Sequence, residues 1–225
     1  MGNIKYFLTN STYENAITGI SKNWLHAVEI NKKQSFKNDN EKKYFYDVIE
    51  NAWKINNGFC KFDNDKISEI TFFPKFKKIK QIDIIRQSPV QIGLNFIISK
   101  RTLDILKSFK LPECNIIPVK IDTFCDDYFL IGFSAIEPST IDFSKSVFSD
   151  NEKNFKFNSF EEWDEINYSK KSPVELFLGN IYGYDIINIR MVDGLYFSEK
   201  LVETLEDNKI IGFKINKERL LMNKR

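Results

Sequence analysis

Two stretches decide the fold: FIISKRTLDIL, residues 96–106, and LYFSEKLVETL, residues 195–205. Each has two apolar residues, then a serine, then an apolar residue and a leucine four and seven places later. The apolar run ahead of the serine reads as a strand. The serine stands where a helix N-cap belongs, its hydroxyl free to accept from an early backbone N–H. Leu103 and Leu106 in one copy, and Val202 and Leu205 in the other, fall on one helical face. An apolar strand follows each, at Ile116-Ile117-Pro118-Val119 and at Ile210-Ile211-Gly212-Phe213. Two similar strand–helix–strand units predict an α+β fold. Its mixed, largely antiparallel sheet has helices packed on it.

Outward from these units, residues 4–8 read as an opening strand and 12–20 as a helix. The polar run 32–43 reads as a loop. Over residues 41–55, Tyr44, Phe45, Val48, Ile49, Ala52 and Trp53 recur at spacings of three and four, one face of an amphipathic helix. Strands are predicted at 67–73, 79–85, 92–98, 115–121 and 128–136, the last two joined through Asp126-Asp127. A short aromatic segment lies at 141–148 and a polar turn at 151–158. A helix is expected at 159–168, with Phe160, Trp163 and Ile166 at three-residue spacing. Strands at 184–191 and 195–197 flank the Asp193-Gly194 turn. Another follows at 210–215, and the tail 217–222 reads as helical. The chain divides into an amino-terminal portion, 1–90, and a portion 91–225, sharing one core.

The chain has 225 residues, 42% hydrophobic, 28% charged and 15% aromatic. That apolar content excludes wholesale disorder. The net charge of +2 excludes a global polyanion-binding signature. The charge is nevertheless uneven. Residues 1–112 hold 19 Lys/Arg and 11 Asp/Glu, and residues 122–165 hold 11 acidic and 3 basic side chains. The three cysteines, Cys60, Cys114 and Cys125, show no C-x-x-C spacing. A disulfide framework or zinc site is therefore not expected, and a cytoplasmic location is. No 18-residue apolar run predicts a membrane span, and residues 1–15 carry no signal-peptide stretch. Met1-Gly2 is not followed by a myristoylation pattern, since Tyr6 stands at the Ser/Thr position.

Catalytic signatures are missing. His26 is the sole histidine, in the apolar setting WLHAVEI, where a packed core or edge residue is the expectation. There is no P-loop, G-x-G-x-x-G, H-E-x-x-H or G-x-S-x-G. Carboxylates cluster at Asp122, Asp126 and Asp127 and at Glu161, Glu162, Asp164 and Glu165. Paired-carboxylate hydrolysis needs such groups, but solvated turns and surfaces carry them far more often. In FFPKFKKIK, residues 72–80, lysines alternate with phenylalanines. This reads as an edge strand guarded by lysine, or alternatively as part of a nucleic-acid-associated module on the basic amino half. No cofactor or metal is expected.

A resemblance narrows the function. FIISKRTLDILKSFKL, NIIPVKI, YFLIGFSAIEPSTIDFSKSVF and INIRMVDGLYFSEKLVETLEDNKIIGFKI resemble a bacterial family first catalogued as a domain of unknown function. That family was later assigned to the immunity proteins of polymorphic toxin systems, with a myxobacterial founding member. The matched features are the strand ending at Ser99, the aromatic strand from Tyr128 and the I-D-F-S-x-S segment at Ile141 to Ser146. Ile189-Arg190, the F-S-E-K-L start at Phe197 to Leu201, and I-x-G-F at Ile210 to Phe213 complete them. The match covers about residues 90–215, with Ile-Arg where an aromatic-Arg pair is more usual. It implies a cytosolic protein that binds and neutralises a cognate toxin encoded beside it. The chain is read accordingly as a binding protein and not an enzyme, with no membrane partner and with the nucleic-acid-associated or regulatory module as the alternative.

On that reading the acidic window is the candidate contact region: Asp122, Asp126, Asp127, Glu161, Glu162, Trp163, Asp164 and Glu165. An aromatic ringed by acids has interface hot-spot character, and acidic charge steers capture of a basic partner. The alternative for Trp163 is packing in the core.

Overall fold

A computed structural model of the chain describes residues 4–20, 26–31, 33–55, 57–150, 152–166, 172–179, 183–190 and 192–223. In chain order the first half runs β1 (Ile4–Ser11), α1 (Asn15–Thr18), β2 (Val28–Ile30), α2 (Asp39–Trp53), β3 (Ile70–Pro74), β4 (Ile84–Ile85), β5 (Gln87–Ser88), β6 (Phe96–Ser99), α3 (Lys100–Leu106) and β7 (Cys114–Ile121). Then come β8 (Tyr128–Phe133), β9 (Ala135–Ile136), a 3-10 turn (Pro138–Thr140), β10 (Val147–Ser149), β11 (Asn154–Phe155), α4 (Phe160–Glu165), β12 (Ser172–Phe177), β13 (Ile186–Ile189), β14 (Leu195–Ser198), α5 (Glu199–Asp207) and β15 (Phe213–Asn223).

The strands form two mixed sheets. The first has the order β4-β6-β8-β7-β3-β2-β5 and the second β9-β13-β14-β1-β15-β12-β10-β11. In both, the inner pairings are antiparallel except one: β3 runs parallel to β7, and β12 runs parallel to β15.

Successive strand residues face opposite sides of a sheet, and the core splits accordingly into three. Tyr128 and Leu130 of β8 join Phe45, Val48 and Ile49 of α2 on the outer face of the first sheet. Tyr6 and Leu8 of β1 join Phe143, Phe148 and Trp163 on the outer face of the second. Between the sheets, Ile131 and Phe133 of β8 and Phe7 of β1 meet Leu103, Leu106, Leu201, Val202 and Leu205 of α3 and α5. The two helices of the similar sequence units thus share the central layer. The expected N-caps are present, with Ser99 accepting from the Thr102 N–H and Ser198 from the Leu201 N–H.

The α+β class and the two units stand as read from the sequence, but several details differ. Residues 12–20 hold only the single-turn α1, because Gly19 closes it in a left-handed conformation (φ 73°). Helix α2 begins inside the expected loop: Asn38 accepts from the Glu41 N–H at 2.9 Å and caps it. Residues 217–222 are not helical. They continue β15 along β1, down to the Ile4–Asn223 pair. The lysine-rich segment is no edge strand, since β3 lies between β2 and β7 and the lysines follow in a turn. A division at residue 90 runs between β4 and β6, which pair with each other, while β1 belongs to the carboxyl-terminal sheet. Residues 167–168 of the expected fourth helix, Met191 of the 184–191 strand, and Met1-Gly2 lie outside the described residues.

Candidate functional site

The two sheets meet along a seam, and at one end of it a cleft of about 320 Å3 opens. The segment before β6 supplies Gly93 to Asn95 and the segment before β14 supplies Val192 to Gly194. Arg86 and Arg190 enter from opposite halves. Arg86 Nη2 binds Asp193 Oδ1 at 3.1 Å across the seam. Arg190 Nη1 donates to the Ile55 carbonyl oxygen at 3.0 Å, and Asn188 Nδ2 donates to the Phe133 carbonyl oxygen at 2.8 Å. The parallel pairing of β13 with β9 closes the same border.

Large apolar side chains stand exposed at its rim. Trp53 is 62% exposed and Val90 50%, and both line the cleft. Ile55, whose carbonyl Arg190 holds, is exposed beside them. The sequence places Trp53 on the apolar stripe of α2, and by spacing it belongs there. However, it is the last helical residue, and the stripe outruns the core beneath it: Ala52 is buried and Trp53 is not. The signal that could have found this site is the coincidence of a helix end with an aromatic residue.

His26 lies close by. Burial lowers its pKa below the usual histidine value, and the positive charges of Arg86 and Lys75 lower it further. Its Nδ1 is buried with no hydrogen-bond partner. Gln87, next in sequence to Arg86, is buried with neither amide atom partnered.

The acidic residues singled out from the sequence fall into two places. Asp122, Asp126 and Asp127 are exposed in the β7–β8 connection of the first sheet. There Asp126 accepts from Gln81 Nε2, and the Asp127 carbonyl accepts from the Lys100 N–H at 2.9 Å. Glu161, Glu162, Asp164 and Glu165 are exposed on α4, which covers the second sheet. Glu162 holds the start of that helix, accepting from the Asn158 backbone N–H at 2.7 Å. Backbone and Ser159 hydrogen bonds lower the Glu161 pKa. Trp163 is the correction: it is only 7% exposed and packs with Phe143, Phe148 and Phe160. It anchors α4 and offers no contact surface.

Among the lysines of residues 75–80, Lys75 pairs with Glu29 at 3.1 Å and Lys80 Nζ donates to the Ala16 carbonyl at 2.6 Å. Both serve the fold. The three cysteines are free thiols. Among the described residues, no group of three or more His, Cys, Asp or Glu side chains converges as a metal site. No helix among them is long and apolar enough to cross a membrane. The sequence matches no protein-family model and no curated protein.

Proposed function

We propose that this chain is an immunity-type binding protein that captures a cognate toxin and occludes its active site. The observation that carries the binding role is the Trp53, Ile55 and Val90 cluster at the rim of a cleft holding Arg86 and Arg190. Exposed tryptophan beside arginine is the composition of an interface hot spot. An apolar group standing in water is stabilised when a partner covers it. The toxin as partner follows from the resemblance of residues 90–215. Its gene would neighbour this one, and the complex would form in the cytoplasm. Steric blockade needs an interface of roughly 1,200–2,000 Å2, larger than the cleft alone, so the surface around the cleft contributes. The exposed acids of α4 and the β7–β8 connection act at longer range, drawing in a basic partner.

The test is co-expression with the product of the adjacent gene, read by pull-down and growth rescue. A stable complex with restored growth supports the reading. A neighbour that neither harms growth nor binds overturns it. Salt-dependent retention of generic DNA or RNA would instead favour a nucleic-acid module on the basic amino half.

A further inference from the structure

In chain order the sequence reads Tyr6-Phe7-Leu8, Asp83-Ile84-Ile85 and Ser99, then Tyr128-Phe129-Leu130, Asp185-Ile186-Ile187 and Ser198. These segments occupy equivalent places in the two sheets. Ser99 pairs with Tyr128 and Ser198 with Tyr6, and the registers then run in step through Ile98–Phe129 and Phe197–Phe7. Ile84 faces Ile98 as Ile186 faces Phe197. Val119 joins Tyr128 to Ile70 as Leu221 joins Tyr6 to Leu176. Strands β4-β6-β8-β7-β3-β2 therefore match β13-β14-β1-β15-β12-β10 in order, and each of the five pairings has the same sense.

The hydrogen bonds repeat as well. The Tyr128 hydroxyl donates to the Ile82 carbonyl at 2.9 Å and the Tyr6 hydroxyl to the Tyr184 carbonyl at 2.8 Å. Ser99 Oγ donates to Asp83 Oδ1 at 2.7 Å and Ser198 Oγ to Asp185 Oδ1 at 2.8 Å. Each aspartate then reaches the other unit, Asp83 binding the Ile211 backbone and Asp185 the Lys110 backbone. Such reciprocity is the mark of a twofold contact. A serine cap after a strand is common, but nothing about a cap requires these crossed aspartate contacts.

One strand in each unit sits in the wrong place for a simple tandem pair. Tyr6-Phe7-Leu8 precedes the first Asp-Ile-Ile in sequence, yet it completes the sheet of the second. Tyr128-Phe129-Leu130 precedes the second and completes the sheet of the first. We infer that the chain is a fused, strand-swapped homodimer: two copies of one unit, β1 to β7 and β8 to β15, each giving its first strand to the other's sheet. The partner that either half is built to meet is a second copy of itself, and the α3–α5 layer is their interface. The copies differ at the seam cleft, where Arg86 occupies the place of Asn188 and Leu94 that of Asp193. The cleft has thus lost the symmetry that the hydrogen bonds keep.

Two full-length proteins test this. In the first, a protease recognition sequence is inserted in the 122–127 connection between the copies, and the purified chain is cleaved there. The fragments are expected to co-elute at the mass of the intact chain without denaturant, since each holds a strand in the other's sheet. Fragments that part as separate folded species overturn the proposal. In the second, residues 1–12 are moved behind residue 225. The new link between β15 and β1 then comprises residues 224, 225, 1, 2 and 3, close to the six-residue connection of β7 and β8. By symmetry it recreates that hairpin. The permutant is expected to keep the far-ultraviolet circular dichroism of the parent and to melt within about 5 °C of it, a small change for a chain of this size. A permutant that does not fold, or folds with less strand, overturns the proposal even if the cleaved chain stays whole.

Discussion

Asp83 and Asp185 hold each other's half of the molecule. Asp83 Oδ2 accepts the Ile211 N–H and its own N–H donates to the Ile211 carbonyl, at 2.9 and 3.0 Å. Asp185 does the same with Lys110, at 2.9 and 2.7 Å. Each carboxylate also orients the serine that caps the next helix, so one side chain ties strand, helix start and seam together. Replacing either by alanine orphans a backbone N–H and removes the carboxylate acceptor of a serine hydroxyl. Hydrogen bonds to a charged group contribute about 1.5–3 kcal/mol each. Asp83→Ala and Asp185→Ala are each expected to cost about 2–4 kcal/mol in urea unfolding. Asp83 also binds Arg101 at 2.8 Å, and its loss is expected to be the larger. An unchanged midpoint for either variant would show that water replaces the contact.

The tryptophans separate binding from folding. Trp163→Ala empties a packed aromatic cluster and is expected to destabilise by about 3–5 kcal/mol. Trp53→Ala removes an exposed side chain and is expected to leave stability within about 0.5 kcal/mol. It is also expected to weaken partner capture by about 2 kcal/mol or more, roughly thirtyfold in Kd. Calorimetric melts beside a binding titration measure both. Full-affinity binding by Trp53→Ala would remove the cleft rim from the interface.

Steering by α4 has a kinetic signature. Glu161→Lys with Glu165→Lys leaves Glu162 in its bonds to Asn158. The double variant is expected to lower the association rate several-fold at low salt and to flatten its salt dependence, with the dissociation rate little changed. Stopped-flow association at two ionic strengths tests this. Unaltered rates would confine the acids to solubility.

Tyr196 is fully buried and its hydroxyl has no hydrogen-bond partner. Burial raises its pKa above the usual tyrosine value, so the phenol stays protonated. Its counterpart in the first sheet is the apolar Ile97. Removing an unsatisfied hydroxyl relieves a desolvation cost. Tyr196→Phe is expected to be neutral or up to about 1 kcal/mol stabilising in thermal unfolding. A clear loss would reveal a partner for the hydroxyl.

His26 makes stability depend on pH in one direction. Its pKa in the folded chain lies below the unfolded value, first through burial and then through Arg86 and Lys75, opposed by Asp193 and the Gln87 backbone. The unfolded chain therefore binds the proton first as pH falls. The contribution is fully present above the unfolded histidine pKa of about 6.5 and is lost as pH falls through it toward the folded value. Urea midpoints are expected to decline from pH 7.5 to 5.5, and His26→Asn to flatten that decline. A parallel slope in the variant would place the effect elsewhere.

The similar units at residues 96–106 and 195–205 were legible because their determinants are local: a β-prone run, a serine cap, then one apolar helical face. The long α2 showed for the same reason. The continuation of β15 was not legible, because residues 217–222 carry a pattern compatible with helix, and only pairing with β1 makes them extended. Nor was the role of the Tyr-Phe-Leu segments, since β1 pairs with strands about two hundred residues further along the chain, whereas β8 pairs with β6 only about thirty residues before it.

At the candidate site the balance is reversed. Acidic clusters are visible in any sequence, and those of α4 and the β7–β8 connection are exposed, on the helix and in the turn expected for them. Trp53 and Trp163 cannot be told apart that way, since each ends or centres a helix with apolar neighbours at spacings of three and four. The sequence by itself determined the α+β composition, the Ser99 and Ser198 helix caps and the repetition of one short design, because each depends on neighbours within a turn or a strand. The tertiary structure alone decided which strand completes which sheet, which tryptophan is covered and where a cleft opens. Those outcomes turn on apolar area buried between segments far apart in the chain, a quantity no local window contains.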